Sequence, residues 1–458
     1  MSDPSVLTRE AVARPTTAAP ARTGHRISGW DPEDAEQWAA GGSRIAGRNL
    51  IFSILAEHIG FSVWSLWSVM VLFMSPAYGL DPGEKFLLVS VATGVGALMR
   101  LPYTYAVARF GGRNWTVASA LLLLVPVALG LAVMTPGTSF GTFLLVAAAT
   151  GLGGGNFASS MANINSLYPE RRKGWALGLN AGGGNLGVPA VQLLGLLVIA
   201  TAGLTSPRLV LGVYLPLIVL AAGCAALFMD NLDGVRHDTG ALAEVLRYGH
   251  TWAMSFLYIG TFGSFIGFGF AFGLVLQTQF GRTPLEAAYV TFLGPLLGSL
   301  ARPLGGALAD RFGGGRVTRW TFLALAAGAA VLLAATEAGS LAVFTAGFVV
   351  VFVLTGIGNG STYKLIPAVF GAKAAAAVTA GASYPDEAAR ARRLSGALIG
   401  LAGAIGALGG LLVNLTFRGA YAPDPVTGTA GSGTAAYAAF LAFYLVCALV
   451  TAVAYRRD

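Results

Sequence analysis

GALMRLPYTYAVARFGGR, Gly96–Arg113, returns further along the chain as GSLARPLGGALADRFGGGR, Gly298–Arg316. Gly96 pairs with Gly298, Arg100 with Arg302, Arg109 with Arg311 and Phe110 with Phe312, all 202 residues apart. A second pairing follows the first: Gly155-Asn156, inside GLGGGNFASSMANINSLYPE (Gly151–Glu170), matches Gly358-Asn359 of TGIGNGSTYKLIPAVF, 203 residues apart. GWALGLNAGGGNLG (Gly174–Gly187) then matches GALIGLAGAIGALG (Gly396–Gly409) at 222, the jump being absorbed by a longer loop. The chain therefore reads as two copies of one unit.

Composition says what kind of unit. Of 458 residues 55% are hydrophobic and 11% charged, with 63 glycines and a mean hydropathy of +0.68. Soluble domains carry about 25% charged residues, whereas packed membrane helices tolerate glycine well. Spans of roughly 20 apolar residues fall at 50–74, 86–108, 115–134, 141–165, 175–201, 209–229, 251–279, 286–309, 317–336, 341–369, 394–417 and 436–455. The expected fold is all-α and membrane-integral, with twelve transmembrane helices in two pseudo-symmetric six-helix bundles. Residues 44–229 form the N-terminal bundle, 230–250 the linker and 251–458 the C-terminal bundle. Residues 1–43, rich in Ala, Pro, Thr and Arg and lacking the apolar core of a signal peptide, read as a flexible cytoplasmic tail. Cys224 and Cys447 lie in apolar runs and read as packing residues.

The net charge of +8 belongs to topology, not to nucleic acid. With the N-terminus inside, 22 Lys and Arg residues fall on the cytoplasmic face, and only Lys85, Arg208, Arg282 and Arg418 on the other. The positive-inside rule then places both termini in the cytoplasm of a multi-pass inner (cytoplasmic) membrane protein. Arg100, Arg302 and Lys364 remain within spans.

A two-fold repeat of helices is the architecture of secondary transporters, whose sites lie between the repeats near the bilayer midplane. An arginine there costs at least about 2.5–3.5 kcal/mol on insertion scales, yet the only acid well inside a span is Glu57. Two pseudo-symmetric arginines without matching acids imply a small anion that completes the site. The guanidinium fork suits a planar oxyanion, so nitrate, nitrite and carboxylates all qualify. The glycines at four-residue spacing in spans four and five read as close helix packing. A nucleotide-binding reading of GLGGGN fails for want of a preceding strand and a βαβ unit. Asn156, Asn163, Asn180 and Asn185 lie at membrane depth, and the counterparts of Asn180 and Asn185 are Ala402 and Ala407. That asymmetry favours ligand contact, for Asn185 above all.

GGGNFASSMANIN before a short basic loop, GIGNGSTYKLIP, NAGGGNLGV and YIGTFGSFIGF together resemble the paired nitrate-signature motifs of the nitrate/nitrite porter (NarK-type) family of the major facilitator superfamily, over nearly everything from Arg48 onward. The resemblance implies a rocker-switch cycle carrying nitrate and nitrite, without cofactor or metal, by a monomer. It implies that Arg100 and Arg302 clamp the anion, that Asn185 and Tyr258 hydrogen-bond it, and that Phe157 and Phe262 sandwich it. An aromatic from span one joins them, with Phe61, Trp64 and Trp67 all eligible. Repulsion between two facing arginines in an empty site favours exchange of one anion for another, hence antiport. Glu57 and His58 in span one and Lys364 in span ten are titratable. An ion pair between Glu57 and Lys364 that closes the cytoplasmic gate is one reading of them; a proton relay making a nitrate/proton symporter is the other. A monocarboxylate porter is a further alternative. No nucleophile–base pair or haem-ligand pattern points to an enzyme.

Overall fold

The computed structural model describes residues 21–234, 239–422 and 431–455. Its helices run back and forth as α1 (Ala35–Phe73), α2 (Pro82–Phe110), α3 (Gly112–Val133), α4 (Phe140–Leu167), α5 (Glu170–Ala202), α6 (Pro207–Phe228) and α7 (Gly249–Phe280). They continue as α8 (Pro284–Thr291 with Leu293–Phe312), α9 (Gly314–Glu337), α10 (Leu341–Thr379), α11 (Tyr384–Ala420) and α12 (Thr434–Ala454). Eleven of the described helices are long and apolar enough to cross a membrane. The remaining rod, α8, has the length, but it carries Glu286, Arg302, Asp310 and Arg311 and breaks at Phe292. Pro295 supplies no N–H to the carbonyl of Thr291, and its ring crowds that carbonyl. The first helix begins and the last ends on one side, called here the terminal end. The other is the far end.

Sequence chemistry sets the local shape. Asp81 and Thr283 cap α2 and α8 at the far end, each in a reciprocal capping box with Glu84 or Glu286 three residues on. Pro189 breaks α5 beside Asn185, in the same way that Pro295 breaks α8. In α7 the stretch Ile259–Gly263 widens into a π-helical turn, a feature frequent at functional sites.

The repeat is written into the helix contacts. A methyl on Gly154 of α4 would meet the Gly96 backbone of α2 at 2.6 Å, and one on Gly356 of α10 would strike the Gly298 carbonyl of α8. Each half thus has its fourth helix pressed on its second near the paired Gly96 and Gly298, and backbone approach of this kind is what small residues permit. The first six helices meet the last six chiefly where α2 runs along α11 and α5 along α8. Close packing does not extend to every glycine of the spacing pattern: Gly151, Gly155, Gly183 and Gly187 are in tight contact, but Gly174, Gly178 and Gly182 face open space.

The terminal end departs from the expected flexible tail. Residues 1–20 lie outside the described residues, but β1 (Ala21–Thr23) and β2 (Arg26–Ser28) form an antiparallel pair, joined in parallel by β3 (Asn231–Leu232) of the linker. The fully buried Asp230 carboxylate fixes them, accepting from Arg22 Nη2 at 3.1 Å, from Asn49 Nδ2 at 3.0 Å and from Arg48. Trp30 Nε1 donates to the Ser166 carbonyl at 3.2 Å, and Trp38 packs edge-on against Tyr168 at 5.7 Å. A partner 208 residues away in sequence, which composition cannot show, orders this segment.

Candidate anion-binding site

Repeat pairing delivers both arginines to one buried cluster. Arg100 of α2 is 1% exposed and Arg302 of α8 is 8% exposed. Arg100 Nη1 donates to the Gly403 carbonyl of α11 at 2.8 Å, which ties the two halves together. Its Nε and Nη2 have no partner. Arg302 Nη2 donates to Tyr258 Oη at 3.1 Å, while its Nη1 has no partner. Buried guanidinium N–H groups are rarely left unpaired, so three such positions in one cluster call for an acceptor.

Aromatic rings hold the forks flat. The Arg100 guanidinium carbon lies 4.5 Å from the Phe157 ring centroid, 4.9 Å from Phe262 and 5.5 Å from Trp64. Phe157 and Phe262 stack on each other at 6.1 Å. A flat ion enclosed between two rings needs them about 7 Å apart, two van der Waals contacts. In this conformation the rings touch, and Arg100 lies across both. Phe262 stacks on Tyr258 at 5.1 Å, and the π-helical turn brings the two side chains of α7 together. Of the three aromatics eligible in α1, Phe61 reaches Phe157 at 5.9 Å and Trp64 lies under Arg100, but Trp67 packs on Phe143 away from the site.

Asn185 is buried beside the break in α5, with Oδ1 unpartnered. Asn180, expected to share its role, turns instead to Glu57: its Nδ2 donates to Oε2 at 2.6 Å and to Ser160 Oγ at 2.6 Å. Glu57 is 1% exposed, within electrostatic reach of Arg100 and Arg302, and its Oε1 is unpartnered. The expected ion pair from Glu57 to Lys364 does not form. Lys364 sits toward the terminal end of the long α10 and pairs with Asp310 at 2.9 Å, both side chains well exposed. His58 points elsewhere too, with Nδ1 3.1 Å from the Gly183 carbonyl.

Sequence reasoning missed Tyr363. Its ring covers the Arg302 guanidinium at 5.1 Å and stands 4.8 Å from Tyr258, whose hydroxyl it faces. The signal was available: counting 203 residues back, its counterpart is Ser160, the same kind of asymmetry that singled out the asparagines. The Gly403 carbonyl was not legible, since backbone acceptors carry no sequence signature.

A cavity of about 570 Å³ runs from Arg100 and Phe157 toward the terminal end between α2, α4 and α11, reaching Leu242, Arg392 and Arg393. The far end is packed: Trp64 meets Phe270 at 5.4 Å, and Gln192 Nε2 donates to the Gly269 carbonyl at 2.8 Å.

A core of two unsatisfied guanidiniums, walled by rings and approached from one end, fits a small delocalised anion. The family model of the Major Facilitator Superfamily matches residues 52–414. The chain is 36% identical over 452 residues to the nitrate/nitrite transporter NarU of Salmonella typhimurium, covering 94% of this chain and 96% of that one. To the probable nitrate/nitrite antiporter NarK2 of Thermus thermophilus it is 32% identical over 302 residues, 60% of this chain and 67% of that one. Among solved structures, a D-xylose-proton symporter superposes with a TM-score of 0.67 at 16% identity, covering 89% of this chain and 97% of that chain, a likeness of fold. The chain belongs to the major facilitator superfamily and, within it, to the nitrate/nitrite porters.

Proposed function

We propose that this chain carries nitrate and nitrite across the inner (cytoplasmic) membrane by alternating access, exchanging one for the other, with both termini in the cytoplasm. It works as a monomer and catalyses no covalent chemistry. The observation that carries the reading is the set of buried, unpartnered N–H positions on Arg100 and Arg302 beside stacked rings. Nitrate and nitrite are planar, delocalised monoanions, so guanidinium forks and ring faces replace their hydration at tolerable cost. Arg100 and Arg302 form the clamp, Tyr258 orients Arg302 and reaches the ion, Phe157 and Phe262 wall it, and Asn185 adds a polar contact. The basic residues crowding the terminal end support its cytoplasmic placement.

Counterflow in proteoliposomes tests this. Nitrate uptake is expected to need internal nitrite or nitrate, to resist lactate in excess, and to ignore a proton ionophore. Lactate competing as well as nitrite would replace the substrate class with monocarboxylates. A second reading, in which a proton accompanies the anion, is favoured by one observation: Glu57 lies by the arginines without an ion-pair partner.

A further inference from the structure

Glu57 sits where a substrate anion would feel it. One helical turn separates it from Phe61, so the two side chains share a face of α1. Phe61 touches Phe157, which lies under Arg100. The charged groups acting on the carboxylate are Arg100 of α2 and Arg302 of α8. From α4 Ser160 hydrogen-bonds the carboxylate, and from α5 Asn180 does so too, beside Gly184, where a methyl would run into it. The titratable His58 on its own helix turns to Gly183, and Tyr258 and Tyr363 stand on the Arg302 side of the cluster.

The hydrogen bonding around Glu57 is short of one proton. Asn180 Nδ2 already donates twice, to Oε2 and to Ser160, the arrangement an ionised Glu57 requires because a carboxylate only accepts. That leaves two buried acceptors without donors, Glu57 Oε1 and Asn180 Oδ1, on two side chains already joined by one bond. A carboxylate and an amide can share only one hydrogen bond in this arrangement. A carboxylic acid and an amide can share two, because the added O–H has an acceptor waiting. The site thus suits both protonation states: the ionised one facing two guanidiniums, and the neutral one with unpartnered acceptors beside the new O–H.

We propose that Glu57 is the resident counter-ion of the anion site and takes up a proton when the transported anion enters. The inference rests on the nitrate/nitrite reading above. With the site empty, the carboxylate offsets part of the charge of the arginine pair, so the empty carrier is less strained by repulsion than the arginines alone would make it. An incoming anion competes with Glu57 for the same positive field. Protonation removes that competition, and by linkage the anion favours protonation to the same degree. The proton comes from solvent and goes to the carboxylate, and no bond other than O–H forms or breaks. During exchange the proton rides in both directions and cancels.

Nitrate binding to the purified full-length protein between pH 5.5 and 8, with proton uptake read from a weakly buffered solution, tests this. The expected result is affinity that falls with rising pH, by at most tenfold per unit for one linked proton, and about one proton taken up per nitrate at the upper end of the range. Glu57→Gln, which keeps an amide-compatible shape beside Asn180, is expected to bind nitrate with a flat pH profile and no proton uptake. Lys364→Ala is expected to keep the unaltered profile. Proton-free, pH-independent nitrate binding by the unaltered protein would overturn the proposal even if Glu57→Gln failed to fold. So would a folded Glu57→Gln protein that kept the pH dependence. Absence of any nitrate binding by the unaltered protein would instead remove the nitrate reading on which the proposal stands.

Discussion

At Arg302 one arm of the guanidinium rests on Tyr258 while Nη1 is buried with nothing to bond. An ammonium on a flexible stem cannot keep the first contact and supply the second. Arg302→Lys therefore loses at least one charge-assisted hydrogen bond to the ion, about 1.5–3 kcal/mol, or roughly 10- to 150-fold in nitrate affinity. Titration calorimetry on the detergent-purified protein checks this, with an unchanged thermal midpoint showing that the fold survives. Affinity within twofold of the unaltered protein would place the anion elsewhere. Lys364 lies in the signature stretch GIGNGSTYKLIP, and reading it as a gate depended on an ion pair with Glu57. Its actual partner is the exposed Asp310, and pairs of that kind contribute about 1 kcal/mol or less. Lys364→Ala is expected to leave nitrate flux into proteoliposomes within about twofold, and a loss beyond tenfold would restore the gate. Sequence separates these two basic residues poorly, since both are single positive charges within apolar runs. Only the helix ends decide that one is sealed in and the other reaches solvent.

Helices in this molecule cross where glycine leaves room, and spacing alone does not say which glycines those are. Gly151, Gly155, Gly174, Gly178 and Gly182 share the same four-residue rhythm. The first two lie on the face of α4 that meets α2, yet the last three meet nothing within 4 Å. The rhythm repeats every four residues whichever way the helix is turned, so it reveals a glycine stripe and not its neighbour. Comparing the two copies does better. The Gly96–Gly298 pairing put both positions at a crossing, and the arginine one turn further along each helix is aimed from that crossing. Gly154→Ala is expected to force α2 and α4 apart, because the new methyl meets Gly96 backbone, which cannot rotate away. Overpacking of this sort costs about 1–3 kcal/mol, and the displaced Arg100 should weaken nitrate binding as well. Gly178→Ala, in the middle of α5 with open space beside it, should instead gain up to about 1 kcal/mol in helix propensity. Thermal unfolding of the two proteins in the same detergent should move in opposite directions. A shared direction would mean that the α2–α4 crossing is not where the packing is tight.

Across the whole molecule, the two-fold plan and the meeting of Arg100 with Arg302 were legible because both are repeats of local pattern. The folded terminal end was not, because its order comes from one distant contact. The short strands Ala21–Thr23 and Arg26–Ser28 could not persist alone. They are held because Asp230, at the start of the linker, collects Arg22, Arg48 and Asn49 around a carboxylate with no exposure to solvent. Through that one residue the segment before α1, α1 itself and the linker to the second half become a single piece, far from the arginines. Asp230→Asn removes the charge and leaves two half-exposed arginines to water. Solvent screens their share, so undocking of the segment should become easier by about 1–2 kcal/mol, less than the loss from a fully buried pair. Where opening is fast relative to cleavage, proteolysis follows the open population. Trypsin should then cut after Arg22 or Arg26 roughly five- to thirtyfold faster in Asp230→Asn than in the unaltered protein. Nitrate affinity should stay unchanged, since Arg100 and Arg302 touch none of these groups. Equal cleavage rates would show that the strands hold without Asp230, and a parallel loss of nitrate binding would show that the terminal end and the anion site move together.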